Sequence, residues 1–304
     1  MSTGSFGFGF NSTPGCHGCG DCSGCSNGGV LDLYPCAGGI GTWRYDIAGD
    51  AWTSKTTPLS THNPTGGWQA CSVSAAFYHG YKNGLTVGFI DEYVDDAWTA
   101  KTGPPSVETS GLFCGDIAGT NIWAVQAITG SEKNNQYSVA GDSWSVQNAP
   151  TTYQSLPSIG NISDFLFVVG GTNSGGTKQS INSAYGLGAW TTGTSLPYAV
   201  TGQMCFTFYS RSFLHVVSGS TNSGITTNNY RYQSSSWTAK AASTNGHSQG
   251  TAYASNDEGV TSGGFKPSGG SAILLTDSYD PAGDAWTARA TAPRSFEGFA
   301  TGGI

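Results

Sequence analysis

Six tryptophans recur at a nearly constant interval. They are Trp52, Trp98, Trp144, Trp190, Trp237 and Trp286, with steps of 46, 46, 46, 47 and 49 residues. A period of that size restricts a chain to an array of one repeated supersecondary unit. Each copy reads Tyr, a short Gly/Asp turn, Trp, and then a Pro, as in YDIAGDAWTSKTTP at 45–58 and YDPAGDAWTARATAP at 279–293. The Pro is lost in the fifth copy. Asp and Gly tolerate the positive φ of a tight turn, so the pattern reads strand, turn, strand, exit loop. Two further strand-like runs precede the Tyr, for example 203–209 with 213–217 and 158–162 with 165–169. Four short strands per unit predict a propeller blade. The Trp of each outer strand is expected to fill the wedge between adjacent blades.

Composition removes the competing classes. Charged residues are 10% of the 304-residue chain and aromatics 12%, whereas a typical domain is about 25% charged. A disordered chain would be charge-rich and aromatic-poor, and a helical bundle would be rich in Ala, Glu, Lys, Leu and Arg. A net charge of −7 argues against a nucleic-acid partner, which needs a basic face. No apolar run approaches a membrane span of about 18 residues. The segment MSTGSFGFGFNSTPG has no basic or continuous apolar region, so no Sec-type signal peptide is expected.

The units resemble kelch-repeat β-propellers, which run hydrophobic–Gly-Gly, then Tyr, then Trp. Gly38-Gly39, Gly170-Gly171 and Gly263-Gly264 match the double glycine. Gly88-Phe89, Thr129-Gly130 and Gly219-Ser220 depart from it. The resemblance covers about residues 30–304 and implies a fold rather than an activity. The double glycine lies 26 residues beyond Trp144 and Trp237. The same spacing from Trp286 would run past the chain end, so 296–303 is expected to supply the innermost strand of blade one. Residues 30–39, 42–46 and 51–57 would supply the other three. The expected organisation is a Gly/Cys-rich anchoring arm at 1–29 and a six-bladed β-propeller at 30–304, closed so that no sheet edge is left open.

The arm carries Cys16, Cys19, Cys22 and Cys25 at C-x2-C-x2-C-x2-C spacing. Three readings stay open: disulfides within the arm or between copies, a zinc or iron–sulfur site, and inert thiols. Zinc ribbons separate their two Cys pairs by about a dozen residues or more, and clustered iron–sulfur runs end differently, which favours disulfides and no cofactor. Cys36, Cys71, Cys114 and Cys205 are expected to be small hydrophobes of inner strands.

No catalytic constellation stands out. Five arginines are spread over the chain, and no nucleophile elbow or P-loop is present. Kelch-type copper oxidases need two His and a Tyr–Cys pair, but His62, His79, His215 and His247 show no such spacing, which leaves that activity a remote alternative. Asp50, Asp96, Asp142 and Asp284 each precede a repeat Trp by two residues, a regularity that points to turn capping over calcium binding. Trp43, Trp68 and Trp123 lie outside the repeat position. They could stack on sugars beside the Asn/Ser/Thr-rich loops 171–182 and 219–229, or fill the core.

The composition resembles that of phage fibre and appendage proteins. The expected function is therefore a non-enzymatic structural and attachment component of a virion, assembled in the host cytoplasm. Residues 1–29 would join other virion proteins or copies of the chain, and the propeller loops would reach host surface glycans. The alternative is a secreted or surface glycan-binding propeller.

Overall fold

The computed structural model describes residues 30–31, 42–57, 59, 70–73, 76–83, 87–105, 111–115, 120–126, 132–150, 156–162, 165–208, 212–254, 258–265 and 273–293. These form strands, turns and loops, with no helix among the described residues. Six antiparallel sheets follow one another at 30–55, 70–101, 111–147, 158–192, 204–240 and 251–289. Five have four strands, and the first has three. Each is named here by its repeat tryptophan. The arm at 1–29 and the strand expected at 296–303 lie outside the described residues.

The repeat maps onto the two outer strands of every sheet. Tyr and Trp face each other directly across the strand pair, as Tyr45 opposite Trp52 and Tyr279 opposite Trp286. Their rings tilt against each other in all six sheets, with centroids from 4.8 Å in Tyr232–Trp237 to 5.2 Å in Tyr185–Trp190. Directly opposed aromatic pairs stabilise an antiparallel ladder by about 0.2–1 kcal/mol each. The turn between them needs a left-handed residue, and Asp50, Asp96, Asp142 and Asp284 supply it at φ 47°, 62°, 40° and 49°.

Packing between sheets explains the apolar positions. Trp144 packs with Ile90 of the preceding sheet as well as Ile122 and Tyr137 of its own. Trp237 and Trp286 likewise meet apolar clusters that include Phe167 and Phe206 of the sheets before them. Trp52 lies with Tyr45 and Ile47 against Val260 of the last sheet. The first strands of successive four-stranded sheets run beside one another, from Ala70–Val73 through Gly111–Gly115, Ser158–Ile162 and Met204–Phe208 to Thr251–Ala254.

Hydrogen bonds then latch sheet to sheet at one repeated place. Each Trp Nε1 donates to the carbonyl four residues beyond the preceding Trp. Trp98 reaches Thr56, Trp144 reaches Thr102, Trp190 reaches Asn148, Trp237 reaches Thr194 and Trp286 reaches Ala241, at 2.7–2.8 Å. Trp52 reaches Ala290 at 3.0 Å. In four seams the N–H of that same residue is held by the turn Asp of the next sheet, as in Thr102 to Asp142 at 2.8 Å and Ala241 to Asp284 at 2.9 Å. The Asp also accepts the hydroxyl of its own sheet's Tyr, as Tyr137 to Asp142 at 2.6 Å. The turn N–H groups are capped instead by Asp46, Ser138 and Asp280, while these carboxylates supply the left-handed turn residue and tie two sheets together.

The double glycines take positive φ, at 66° and 94° for Gly170-Gly171 and 70° and 88° for Gly263-Gly264. In the fifth sheet the pair is one residue earlier than the repeat pattern places it. Ser218 and Gly219 hold φ 58° and 95°, and Ser220 is already a strand residue. The second position of the turn remains glycine because a Cβ on Gly219 would meet Gln203 Cβ at 2.8 Å.

Candidate functional site

Two loops reach each other across the seam between the Trp190 and Trp237 sheets. In the first, the Oδ1 of Asn173 accepts the N–H groups of Gly175 and Thr177, closing a tight turn. This places Lys178 opposite Thr172 on the returning arm. In the second, Ser220–Thr221 pairs with Gly224–Ile225 as a short hairpin, with the Thr221 hydroxyl donating to the Gly224 carbonyl at 2.8 Å. Lys178 crosses between them. Its Nζ donates to Ser220 Oγ at 2.9 Å and to the Thr221 carbonyl at 2.5 Å. Thr201, from the segment joining the two sheets, pairs backbone to backbone with Ser220, and its hydroxyl accepts from Thr172 at 3.1 Å.

The result is one ammonium among hydroxyls. Its partners are neutral, and among the described residues no carboxylate contacts it. Burial lowers the Lys178 pKa, because an ammonium is less well solvated there than in water. Thr172, Lys178, Thr201, Ser220 and Thr221 all keep part of their surface open to solvent. The backbone beneath is tied from segment to segment. Gly202 N–H donates to the Leu156 carbonyl at 3.0 Å, and Gln249 N–H donates to the Gly202 carbonyl at 2.7 Å.

Other residues singled out by sequence are spread elsewhere. Cys16, Cys19, Cys22, Cys25 and Trp68 lie outside the described residues, as does His62. His79, Cys71 and Cys114 are on described strands, Ala76–Asn83, Ala70–Val73 and Gly111–Gly115. Cys205 is buried in the apolar cluster of the Trp190–Trp237 seam. Trp123 lies against Tyr185 with ring centroids 5.1 Å apart and the planes tilted by 60°, and it packs on the cluster of Val125 and Ile159 in the seam between sheets. Trp43 is half-buried, with its Nε1 enclosed.

His215 and His247 each serve an internal contact. His215 stacks on Phe206 and bonds Asn229 Oδ1 at 2.7 Å, and burial pushes its pKa down to about 4. His247 spans the Gly263 carbonyl at 2.8 Å and Asp277 Oδ2 at 3.2 Å, with no exposure of either side chain. Asn245 donates to both oxygens of Asp277. Among the described residues no group of three His, Cys, Asp or Glu is arranged to hold a metal ion.

Lys178 escaped the sequence reading, although a signal was there. Residues 165–256 contain Lys178, Arg211, Arg231 and Lys240 and no Asp or Glu. All nineteen acidic residues and the other eight cations lie outside that stretch. The overall net charge concealed an acid-free stretch within an acidic chain.

No family model and no curated protein matches the chain. Among solved structures it is similar to YjhT, with a TM-score of 0.67 at 12% identity, covering 86% of this chain and 98% of that one. At that identity the likeness extends to the fold alone. Together with the succession of antiparallel sheets, it makes the chain an all-β protein of the β-propeller fold.

Proposed function

We propose that the chain is a ring-closed, six-bladed propeller of kelch type that serves as a non-catalytic attachment and display component of a phage particle. Residues 1–29 anchor it to other particle proteins or to further copies, and the loop face is presented outward. The bonds from Trp52 and to Asp50 at Ala290 support closure, because they repeat at the chain's two ends the latch found between consecutive sheets. The three-stranded first sheet leaves a place for 296–303.

The observation that carries the functional reading is where the repeated polar groups go. Asp50, Asp96, Asp142 and Asp284 are spent on seams, and the loops between the fourth and fifth sheets are built from Ser, Thr, Asn and Gly. A rigid ring with a hydroxyl-rich rim suits recognition, and the low charge accords with a particle component. The test is assembly. A chain lacking residues 1–29 should fold with an unchanged near-UV spectrum yet be missing from purified particles; incorporation at the full-length level would defeat the reading. Thiol counting with elemental analysis addresses the arm, since eight free thiols without metal would remove both cross-linking and a zinc or iron–sulfur centre.

A second reading, a glycan-binding propeller, has one specific support. The two Asn/Ser/Thr-rich loops are physically joined at Lys178. It is compatible with the first if the particle touches surface sugars.

A further inference from the structure

Lys178 is placed where a structural lysine gains little and a binding lysine gains much. It donates to a hydroxyl and a carbonyl, and two of its three N–H bonds are thereby used. Thr172, Thr201 and Ser220 bring three hydroxyls to the same seam. Residues 165–256 supply four cations and no acid, and of these Lys240 is paired with Asp284 of the next sheet. A local cation without a paired carboxylate draws anions.

We propose that this seam binds an acidic oligosaccharide, its carboxylate taken by the Lys178 ammonium and its hydroxyls by Thr172, Thr201 and Ser220. The inference rests on the glycan-binding reading and gives it a substrate class. A sugar carboxylate fits because it supplies the missing counter-charge, while its neighbouring hydroxyls both donate to and accept from Ser and Thr. The charge at this seam is an ammonium, a point charge rather than an Arg fork, and two of the described arginines are engaged elsewhere: Arg231 lies over the Phe213 ring and Arg289 is paired with Glu258.

The experiment is calorimetric titration of the full chain with tetragalacturonate, with glucuronate- and mannuronate-containing oligosaccharides, and with their carboxyl-reduced neutral counterparts. At least one acidic probe should bind, its neutral counterpart at least ten-fold more weakly, and binding should fall with added salt. Lys178→Met should abolish the preference for the acid with an unchanged melting temperature, and Lys178→Arg should restore it. If Lys178→Met lowers the melting temperature, the wild-type acid-to-neutral ratio and its salt dependence still decide. Equal binding of acidic and neutral probes overturns the inference and leaves the glycan reading standing. No binding of either at millimolar concentration overturns both.

Discussion

The indole N–H of Trp52 donates to the carbonyl of Ala290, 238 residues away in sequence. In the other five sheets the same bond spans 42 to 45 residues. The first sheet thus treats the last as its neighbour, and this seam is the one the chain does not cover with a continuous connection. Trp52→Phe keeps a ring on Tyr45 but leaves the Ala290 carbonyl without that donor, at a cost of about 1–2 kcal/mol. The expected result is faster hydrogen exchange in Thr42–Lys55, with residues 204–240 unchanged. Trp190→Phe should leave the 42–55 segment protected, because it opens an internal seam. Equal exchange patterns in the two variants would mean that the ends do not close on each other.

The Asp latch makes stability acid-sensitive. The Tyr137 hydroxyl first, and then the Thr102 N–H, hold Asp142 below its ordinary value, and Asp50 and Asp96 are lowered in the same way. At Asp284 burial opposes the shift, but the Ala241, Tyr279 and Lys240 contacts together outweigh it. A carboxylate depressed in the fold contributes stability above its unfolded value, near 3.8, and loses it as pH falls through the lower folded value. Asp142→Asn retains an oxygen that can accept both bonds, since both fall on Oδ1. It should cost less than about 1 kcal/mol at neutral pH and flatten the melting temperature below pH 4. Asp142→Ala loses both bonds and puts alanine at φ 40°, for about 2 kcal/mol. Thermal denaturation from pH 2 to 7 separates the two.

The spacing of six tryptophans made the sheets legible, because Tyr, turn and Trp define the two outer strands directly. The latch was not legible. A side chain that bonds the backbone of another sheet leaves no mark beyond a residue at Trp plus four, and that residue is Thr, Asn or Ala. The double-glycine turn of the fifth sheet was misplaced by one residue because Ser218 accepts a left-handed φ that the pattern reserves for glycine. The candidate site was half visible. Its loops stood out by composition, but their meeting at Lys178 depends on the fold.

His215 adds a second acid response at a higher pH. Burial depresses it from 6.5 to about 4, so between those values the unfolded chain binds a proton that the folded chain refuses. Stability therefore rises with pH across this window and is level above it. The loss on acidification amounts to about 3 kcal/mol at most. His215→Phe removes the titrating group from its ring stack with Phe206 but leaves Asn229 Oδ1 unpaired. The variant should be less stable at pH 7 and lack the slope between pH 6.5 and 4. A slope that survives unchanged would assign it to another group.

Two glycines of the Lys178 loop should respond differently to alanine. Gly170 has φ 66°, and a Cβ there would lie 2.4 Å from Gln203 Nε2 and 2.8 Å from the Val200 carbonyl oxygen. Backbone cannot move aside as a side-chain tip can, so Gly170→Ala should cost about 3 kcal/mol or more. Gly176 has φ 80° and nothing within 4 Å, so its alanine variant bears the left-handed penalty alone, about 1 kcal/mol. Denaturant midpoints for the two would show the difference, and similar losses would contradict the close approach at Gly170.

Two sheets lack the latch carboxylate. At the position two before Trp they carry Gly188 and Ser235. Ser235 already sits at φ 61°, so a substitution there adds no new backbone strain. It faces the seam in which the Trp237 indole reaches the Thr194 carbonyl and the Thr194 hydroxyl reaches the Ser235 carbonyl. Ser235→Asp should place a carboxylate between the Tyr232 hydroxyl and the Thr194 N–H, as Asp142 sits between Tyr137 and Thr102. Two charge-assisted bonds, offset by ordering an exposed side chain, predict a gain of about 1 kcal/mol at pH 7. Protonation removes the gain, so the variant and wild type should melt together near pH 3. Ser235→Asn separates charge from geometry and should gain less. No rise in melting temperature at pH 7 for Ser235→Asp would show that the latch depends on more than the carboxylate's position in the repeat.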